Sequence, residues 1–399
     1  MAGRSAVGSP GVEMRHVSGL VRAIGMMSGT SLDGVDIALI ETDGHEVAAF
    51  GPAGYRPYSD AERAVLRQAL QEAVTLTDRM SRPGILAEAE ELVTRTHAEA
   101  VEKFLADNNI SRDEIAVVGF HGQTVLHRPH MRLTVQIGDG NALAQRIGMA
   151  VAFDFRADDV AGGGQGAPLV PIYHCALVAM LKGPQPVAVL NVGGVANVTC
   201  CDEEHPPVAC DTGPGNALID DFLRARTGQA FDDGGAMAAR GKVDDAFVLR
   251  VLHDKFFDQP PPTSLDRNAF AHANLSLPEM SVVDGCATLA ALTAASVTRI
   301  VPHLPRPPAR WIIAGGGARN KTLVNFLAEG LSPAIVETAD AVGWSADALE
   351  AQAFAYLAVR TLDNLPITFP TTTGVKQAMQ GGRMALPIAR AQAPRAQSR

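Results

Sequence analysis

The chain lacks an excess of basic residues: 34 Lys and Arg stand against 43 Asp and Glu, for a formal charge of −9. A nucleic-acid surface needs clustered cations to neutralise phosphates, so no nucleic-acid partner is expected. Cysteine spacing of a metal site is also missing. The five cysteines, Cys175, Cys200, Cys201, Cys210 and Cys286, are odd in number, include an adjacent pair and form no CxxC. That pattern favours reduced thiols in a cytosol and no zinc. The opening "MAGRSAVGSPGVEMRHVSGL" has no apolar core of secretory length, and no later run approaches the roughly 20 apolar residues of a membrane span. Two nucleotide signatures are absent as well. No GxxxxGK[ST] occurs, and the Gly-rich turns join strand to strand where a Rossmann fingerprint joins strand to helix.

What is present bounds the architecture. At 399 residues the chain exceeds what one core organises, and roughly 100–200 residues per domain predicts two domains. Residues 1–20 are expected to be a flexible extension, 21–180 a first domain, 181–375 a second, and 376–399 a solvated tail.

Strands alternate with helices, the mark of an α/β protein. "VRAI" and "IALIE" flank a polar turn, then "DAERAVLRQALQEAV" and "GILAEAEELVTRTHAEAVEKFLADNN" carry helical periodicity. "IAVVGF" reads as a buried strand running into a loop "HGQTVLHRP". A second hairpin, "VAVLNVGGVANVTCC", repeats the design of the first, which predicts two similar halves. "DTGPGNALIDDFLRARTG" reads as a loop entering a helix, and "ARWIIAGGGARN" as a buried strand ending in three glycines. The last helix, "SADALEAQAFAYLAVRTL", is expected to use Ser345 as its N-cap with Asp347 in the first turn.

Three Gly-rich turns are places where backbone approaches a ligand without interference from a Cβ, and runs of backbone N–H groups there make anion sites. In the first, "GMMSGTSLDGVD", Thr30 and Ser31 add hydroxyls, while Asp33 or Asp36 can orient a metal ion bridging nucleotide phosphates. A plain hairpin turn explains any one of these stretches alone. Three together, with "DTGPGN", point to nucleotide binding.

"GMMSGTSLDGVDIAL", "FHGQTVLHRP", "VQIGDGNALA", "DFRADDVAGGGQGAPLVPIYH", "LNVGGVANVT", "DTGPGNALID", "IIAGGGARN" and "DALEAQAFAYLA" resemble, in order and across nearly the whole chain, the anhydro-N-acetylmuramic acid kinase family. That resemblance implies α/β architecture of the actin/Hsp70/sugar kinase (ribonuclease H-like) type, with two similar domains around an ATP cleft. It implies a cytoplasmic enzyme that uses ATP, Mg2+ and water to open the 1,6-anhydro ring of an amino sugar while phosphorylating O6, and a homodimer as the assembly.

By the same resemblance Gly29, Thr30, Ser31, Leu32, Asp33, Gly34, Val35 and Asp36 cradle phosphates, with Asp33 on the Mg2+ side. Asn191, Gly193, Gly194 and Asn197 form the second phosphate hairpin, and Gly315, Gly316 and Gly317 face the nucleoside. Asp211 is the implied general base, although an aspartate bonded to its own turn is the plainer reading of "DTGPGN". Glu350 shares a helix face with Phe354 and Leu357, so its carboxylate needs a partner or a pocket. Arg156 is the expected partner, or the ligand of the sugar carboxylate. His121 and Asp139 complete the expected sugar site, with ordinary turn chemistry as the alternative. One segment departs from the family: in "PPTSLDRNAF", Thr263 stands for a lysine, Asp266 for a glycine and Asn268 for a glutamate, which puts any role there in doubt except for Arg267. An ordinary sugar kinase and a nucleotide-gated binding protein remain the competing readings.

Overall fold

A computed structural model describes residues 19–29, 31–265, 269–271, 273, 277 and 280–388. Thr30, Asp266, Arg267 and Asn268 lie outside the described residues. Twelve strands are described: β1 (Val21–Ser28), β2 (Gly34–Thr42), β3 (Val47–Pro57), β4 (Ile115–Arg128), β5 (Leu133–Ile137), β6 (Val151–Phe153), β7 (Val187–Val192), β8 (Val195–Asp202), β9 (His205–Pro214), β10 (Arg310–Ala314), β11 (Ile335–Thr338) and β12 (Arg383–Ala385).

They form two sheets with the same wiring. The first runs β12-β6-β4-β1-β2-β3, with β5 added on β4; the second runs β11-β10-β7-β8-β9. In each, a three-stranded antiparallel meander lies beside two parallel strands: β1 pairs parallel with β4 and β4 with β6, as β7 does with β10 and β10 with β11. The expected repeat of the hairpin is therefore a repeat of a whole sheet within an α/β fold.

Helices cover the sheets where their apolar faces require it. Helix Asp60–Ala73 starts at Ser59, whose hydroxyl accepts from Glu62 N while Glu62 returns to Ser59 N, a capping box. Helix Ile85–Asp107 ends where Asn109 takes a left-handed φ of 53°. Both pack on one face of the first sheet. Its other face receives helix Leu349–Leu362 through paired glycines. Gly25 and Gly119 lie side by side in β1 and β4, and a Cβ there would stand 1.9 Å from Ala351 O and 2.1 Å from Phe354 O. Only glycine permits that approach, which Ala351, Ala355 and Ala358 match from the helix. The same helix shares a core with Val189 and Ile312 of the second sheet, so it packs against both sheets.

Several expectations are corrected. "HGQTV" is strand, because β4 continues through it to pair with β5. "DTGP" is strand too, as the end of β9. The helix expected at "SADALEAQAFAYLAVRTL" begins at Leu349 with Ala348 as N-cap, so Ser345 does not cap it and Asp347 precedes its first turn. Residues 376–399 are expected to be a solvated tail, but Arg383–Ala385 pairs with β6 at the edge of the first sheet. Cys175 and Cys201 form a disulfide, because helix Pro171–Ala179 packs on β8 and brings their Cα atoms to 5.2 Å; Cys200, Cys210 and Cys286 are free and buried. One stretch, Val282–His303, is long and apolar enough to cross a membrane by composition, yet 67% of its 18-residue window is buried inside the protein.

Candidate active site

The first Gly-rich turn connects β1 to β2. Leu32 N donates to Gly29 O at 3.3 Å, Leu32 takes a φ of 58°, and Asp33 O accepts from Tyr58 N at 2.8 Å. A Cβ on Gly29 would meet nothing nearer than Ser31 Oγ at 3.8 Å, so the space before the turn is open. The turn is anchored from below. Gln123, fully buried in β4, donates to Gly29 O at 3.1 Å and accepts from Ser28 Oγ, which in turn accepts from Tyr58 OH.

In the second hairpin Val192 pairs with Ala196, and Asn191 with Asn197. Gly193 O and Gly194 O accept from Asn216 N at 2.7 Å and Gly215 N at 3.0 Å, which ties the turn to the start of helix Ala217–Thr227. Gly315, with φ 74°, leaves β10 so close that a Cβ would lie 2.4 Å from Asn191 Oδ1. Gly315 lines a cleft cavity of about 400 Å³ together with Asp36, Arg156, Asn191, Asn197 and Glu350. Gly316 lines a neighbouring cavity of about 270 Å³ with Asn216, Ile219, Phe231, Arg319 and Asn320. The third glycine turn thus stands between two cavities of unequal character. The second carries one aromatic ring, Phe231, beside the amides of Asn216 and Asn320 and the carboxylates of Asp220, Asp232 and Asp233.

Charge in the cleft is dominated by carboxylates. Burial, and then Glu350, Asp347 and Asp33, push Asp36 up to about 6. Glu350 opens to the cavity yet lies deep enough that burial raises its carboxyl, with Arg156 opposing. No direct ion pair joins them. Arg156 donates to His121 Nε2 from Nε at 3.1 Å and to Gly166 O from Nη1 at 2.7 Å, while burial lowers its guanidinium to about 10. The expected Arg156–Glu350 pairing is replaced by an imidazole shared with Phe354, whose ring lies 4.7 Å from His121. Burial and Arg156 hold His121 well below the usual imidazole range, so it is neutral and fit to accept.

Asp139 stays with its turn: its carboxylate accepts from Asn141 N at 2.8 Å and Ala142 N at 3.1 Å, capping helix Gly140–Ile147. With His121 it lines a separate cavity of about 230 Å³. The four expected sugar residues are thus divided, Arg156 and Glu350 in the cleft, His121 and Asp139 beside it.

Asp211 pairs with Asn197 across β8 and β9, next to a bulge. Its backbone N–H donates to Thr263 O at 2.9 Å, its carbonyl accepts from Thr263 Oγ1 at 2.8 Å, and Oδ2 accepts from Leu265 N at 2.7 Å. Burial pushes its carboxyl up to about 6 against that last bond. The segment that departs from the family is therefore the one that holds Asp211. Leu265, Gln123 and Asn216 were not singled out from sequence, although Gln123 and Asn216 stand inside the quoted "HGQT" and "GPGN"; Thr263 was marked only as a departure from the family.

Among the described residues no cluster of three His, Cys, Asp or Glu is placed to hold a metal ion by itself.

A family model for anhydro-N-acetylmuramic acid kinase matches residues 21–386. A protein of Rhodopseudomonas palustris (strain BisB18) carrying that name is 60% identical over 365 residues, 92% of this chain and 100% of its own. One of Nitrobacter winogradskyi with the same name is 58% identical over 368 residues, 92% of this chain and 100% of its own. The chain belongs to the anhydro-N-acetylmuramic acid kinase family. Among solved structures, component A of Acidaminococcus fermentans (R)-2-hydroxyglutaryl-CoA dehydratase aligns with a TM-score of 0.45 at 12% identity, over 86% of this chain and 99% of that one, a level of likeness that decides nothing.

Proposed function

We propose that the cleft opens 1,6-anhydro-N-acetylmuramic acid with water while moving the γ-phosphoryl group of ATP to O6, giving N-acetylmuramic acid 6-phosphate and ADP. The observation that carries this reading is Asp211: a carboxylate on the strand beside the second phosphate hairpin, with basicity raised towards neutrality. A base that ionises near 6 is charged at neutral pH and still basic enough to take a proton in the transition state. In the reaction the water oxygen bonds to C1 as Asp211 takes its proton, the C1–O6 bond breaks, and O6 bonds the γ-phosphorus of ATP as that phosphorus parts from the β–γ bridging oxygen; ADP leaves and Asp211 returns its proton to solvent. Atoms and charge balance without another reactant.

The remaining residues position the partners. The turn Gly29–Asp36 and the pair Gly193 and Gly194 present backbone to the phosphates, and Gly315 to Gly317 separate the phosphates from a nucleoside placed beside Phe231 and Asn216. Arg156, with a neutral His121 behind it, serves the sugar's lactyl carboxylate, and Glu350 faces its hydroxyls. Asp36 lines the cavity with the field of Asp33, Asp347 and Glu350 upon it, and a divalent cation relieves that repulsion. Mg2+ fits there as an ion bound mainly through phosphates and water, and when bound it neutralises phosphoryl charge.

The lobes are assigned as residues 21–180 completed by the returning helix Leu349–Leu362 and β12, and 181–348. A cytoplasmic location follows from the intracellular nucleotide, and a homodimer is the assembly carried from the family. The test is ADP release by the purified protein with ATP and Mg2+: release that requires 1,6-anhydro-N-acetylmuramic acid supports the reading, and release that needs no sugar or follows only an intact hexose contradicts it.

A further inference from the structure

His174 closes the motif "PIYH" and has no part in the scheme above. It lies in helix Pro171–Ala179, is 5% exposed, and lines the cleft cavity with Asp36, Arg156, Asn191, Asn197 and Glu350. Its Nδ1 is 2.9 Å from Thr199 Oγ1. Nε2, on the far edge of the ring, is not among the buried polar atoms left without a partner, so it keeps access to the cavity.

Strand register explains the placement. Asn197, Thr199 and Cys201 alternate along β8 on one face, and Asp211 stands opposite Asn197 in β9. The helix packs on that face, where Cys201 bonds Cys175, the residue after His174. His174 and Asp211 thus belong to the same side of the second sheet.

The hydrogen bond sets the tautomer. Thr199 is 2% exposed, and its hydroxyl has His174 Nδ1 as its one side-chain partner. If Nδ1 carried the proton, the buried hydroxyl hydrogen would have no acceptor in that pair. Donation from Thr199 to Nδ1 satisfies both groups and leaves the ring proton on Nε2. Burial lowers the imidazole to about 4, so a single neutral N–H points into the cleft.

We propose that His174 is a sugar-recognition residue whose Nε2–H, fixed by Thr199, donates to an acceptor oxygen of the amino sugar in the cleft. The assignment to the sugar follows from its position on the Asp211 side of the sheet, away from the cavity beside Gly316. It rests on the kinase reading above.

The experiment is steady-state kinetics of His174→Phe, His174→Gln and Thr199→Val with both substrates varied. Phenylalanine keeps the packing and removes the donor, so the KM for the anhydro sugar should rise by about 10- to 100-fold, as for a lost buried hydrogen bond, while the KM for ATP changes less than about twofold. Glutamine restores a donor and should recover part of the loss. Thr199→Val frees the ring and should raise the sugar KM by a smaller factor. Active variants whose sugar KM is unchanged, or whose ATP KM moves in its place, overturn the assignment. If the phenylalanine variant does not fold, the other two carry the same comparison. A wild type that is inactive on the anhydro sugar overturns the kinase reading, and this inference with it.

Discussion

Leu265 donates its backbone N–H to Oδ2 of Asp211 at 2.7 Å, from 54 positions further along the chain. The bond aims the carboxylate and favours its charged form, while burial favours the neutral one and wins, leaving it near 6. The base is thus a balance between one amide and a dry environment.

Replacing Asp211 by Asn separates chemistry from stability. Turnover should fall by several orders of magnitude, with nucleotide affinity retained. Because the folded carboxyl titrates near 6 and the unfolded one near 3.8, the folded state binds the extra proton between those values, and ionisation costs stability above pH 6. The Asn variant should therefore melt higher than wild type at pH 7.5 and lose that advantage below about pH 4. Thermal scans at the two pH values check the sign, and unchanged single-turnover rates would remove Asp211 as base.

The acid limb of kcat should follow the same group. Activity should rise with pH through about 6, as the carboxylate ionises. Leu265→Pro deletes the N–H that favours the charged form, so its limb should move to higher pH by up to about 1 unit. A limb that stays in place would show that the amide does not tune the base.

Much of this site was legible because its signals are local. Paired glycines between apolar runs marked both hairpins and the Gly315 turn, and spacing marked the long helices. The Leu265 contact was not legible, since nothing in "TSL" names a partner 54 residues away. Nor was the return of helix Leu349–Leu362 to the first sheet, which depends on Gly25 and Gly119 becoming neighbours. Ser345 misled for a related reason: a good capping residue precedes the helix, but three residues of turn intervene before Leu349.

Those two glycines carry a stability prediction. Gly119→Ala places a methyl group 2.1 Å from Phe354 O, contact that the helix and sheet relieve only by moving apart. The cost should be about 1–3 kcal/mol, seen as a lower melting temperature, and Gly25→Ala should behave alike. A variant as stable as wild type would contradict the packing described.

Gly29 is predicted to behave in the opposite way. Its surroundings are open, so Gly29→Val should leave the melting temperature within a few degrees and abolish ATP binding by filling the space before the turn. Gly315→Ala should lose both, because its φ of 74° and the 2.4 Å approach to Asn191 Oδ1 strain the fold as well as the site. Calorimetric titration with a non-hydrolysed ATP analogue distinguishes them. Undiminished affinity in the Gly29 variant would refute the phosphate placement.

The most direct measurement is mass spectrometry of 1,6-anhydro-N-acetylmuramic acid after incubation with the protein, ATP and Mg2+ in 18O-labelled water. Ring opening coupled to transfer predicts a product that gains one phosphoryl group and one labelled oxygen, the label residing on C1. A product that gains phosphate with the anhydro ring intact would contradict the role given to Asp211 and return the protein to ordinary kinase chemistry.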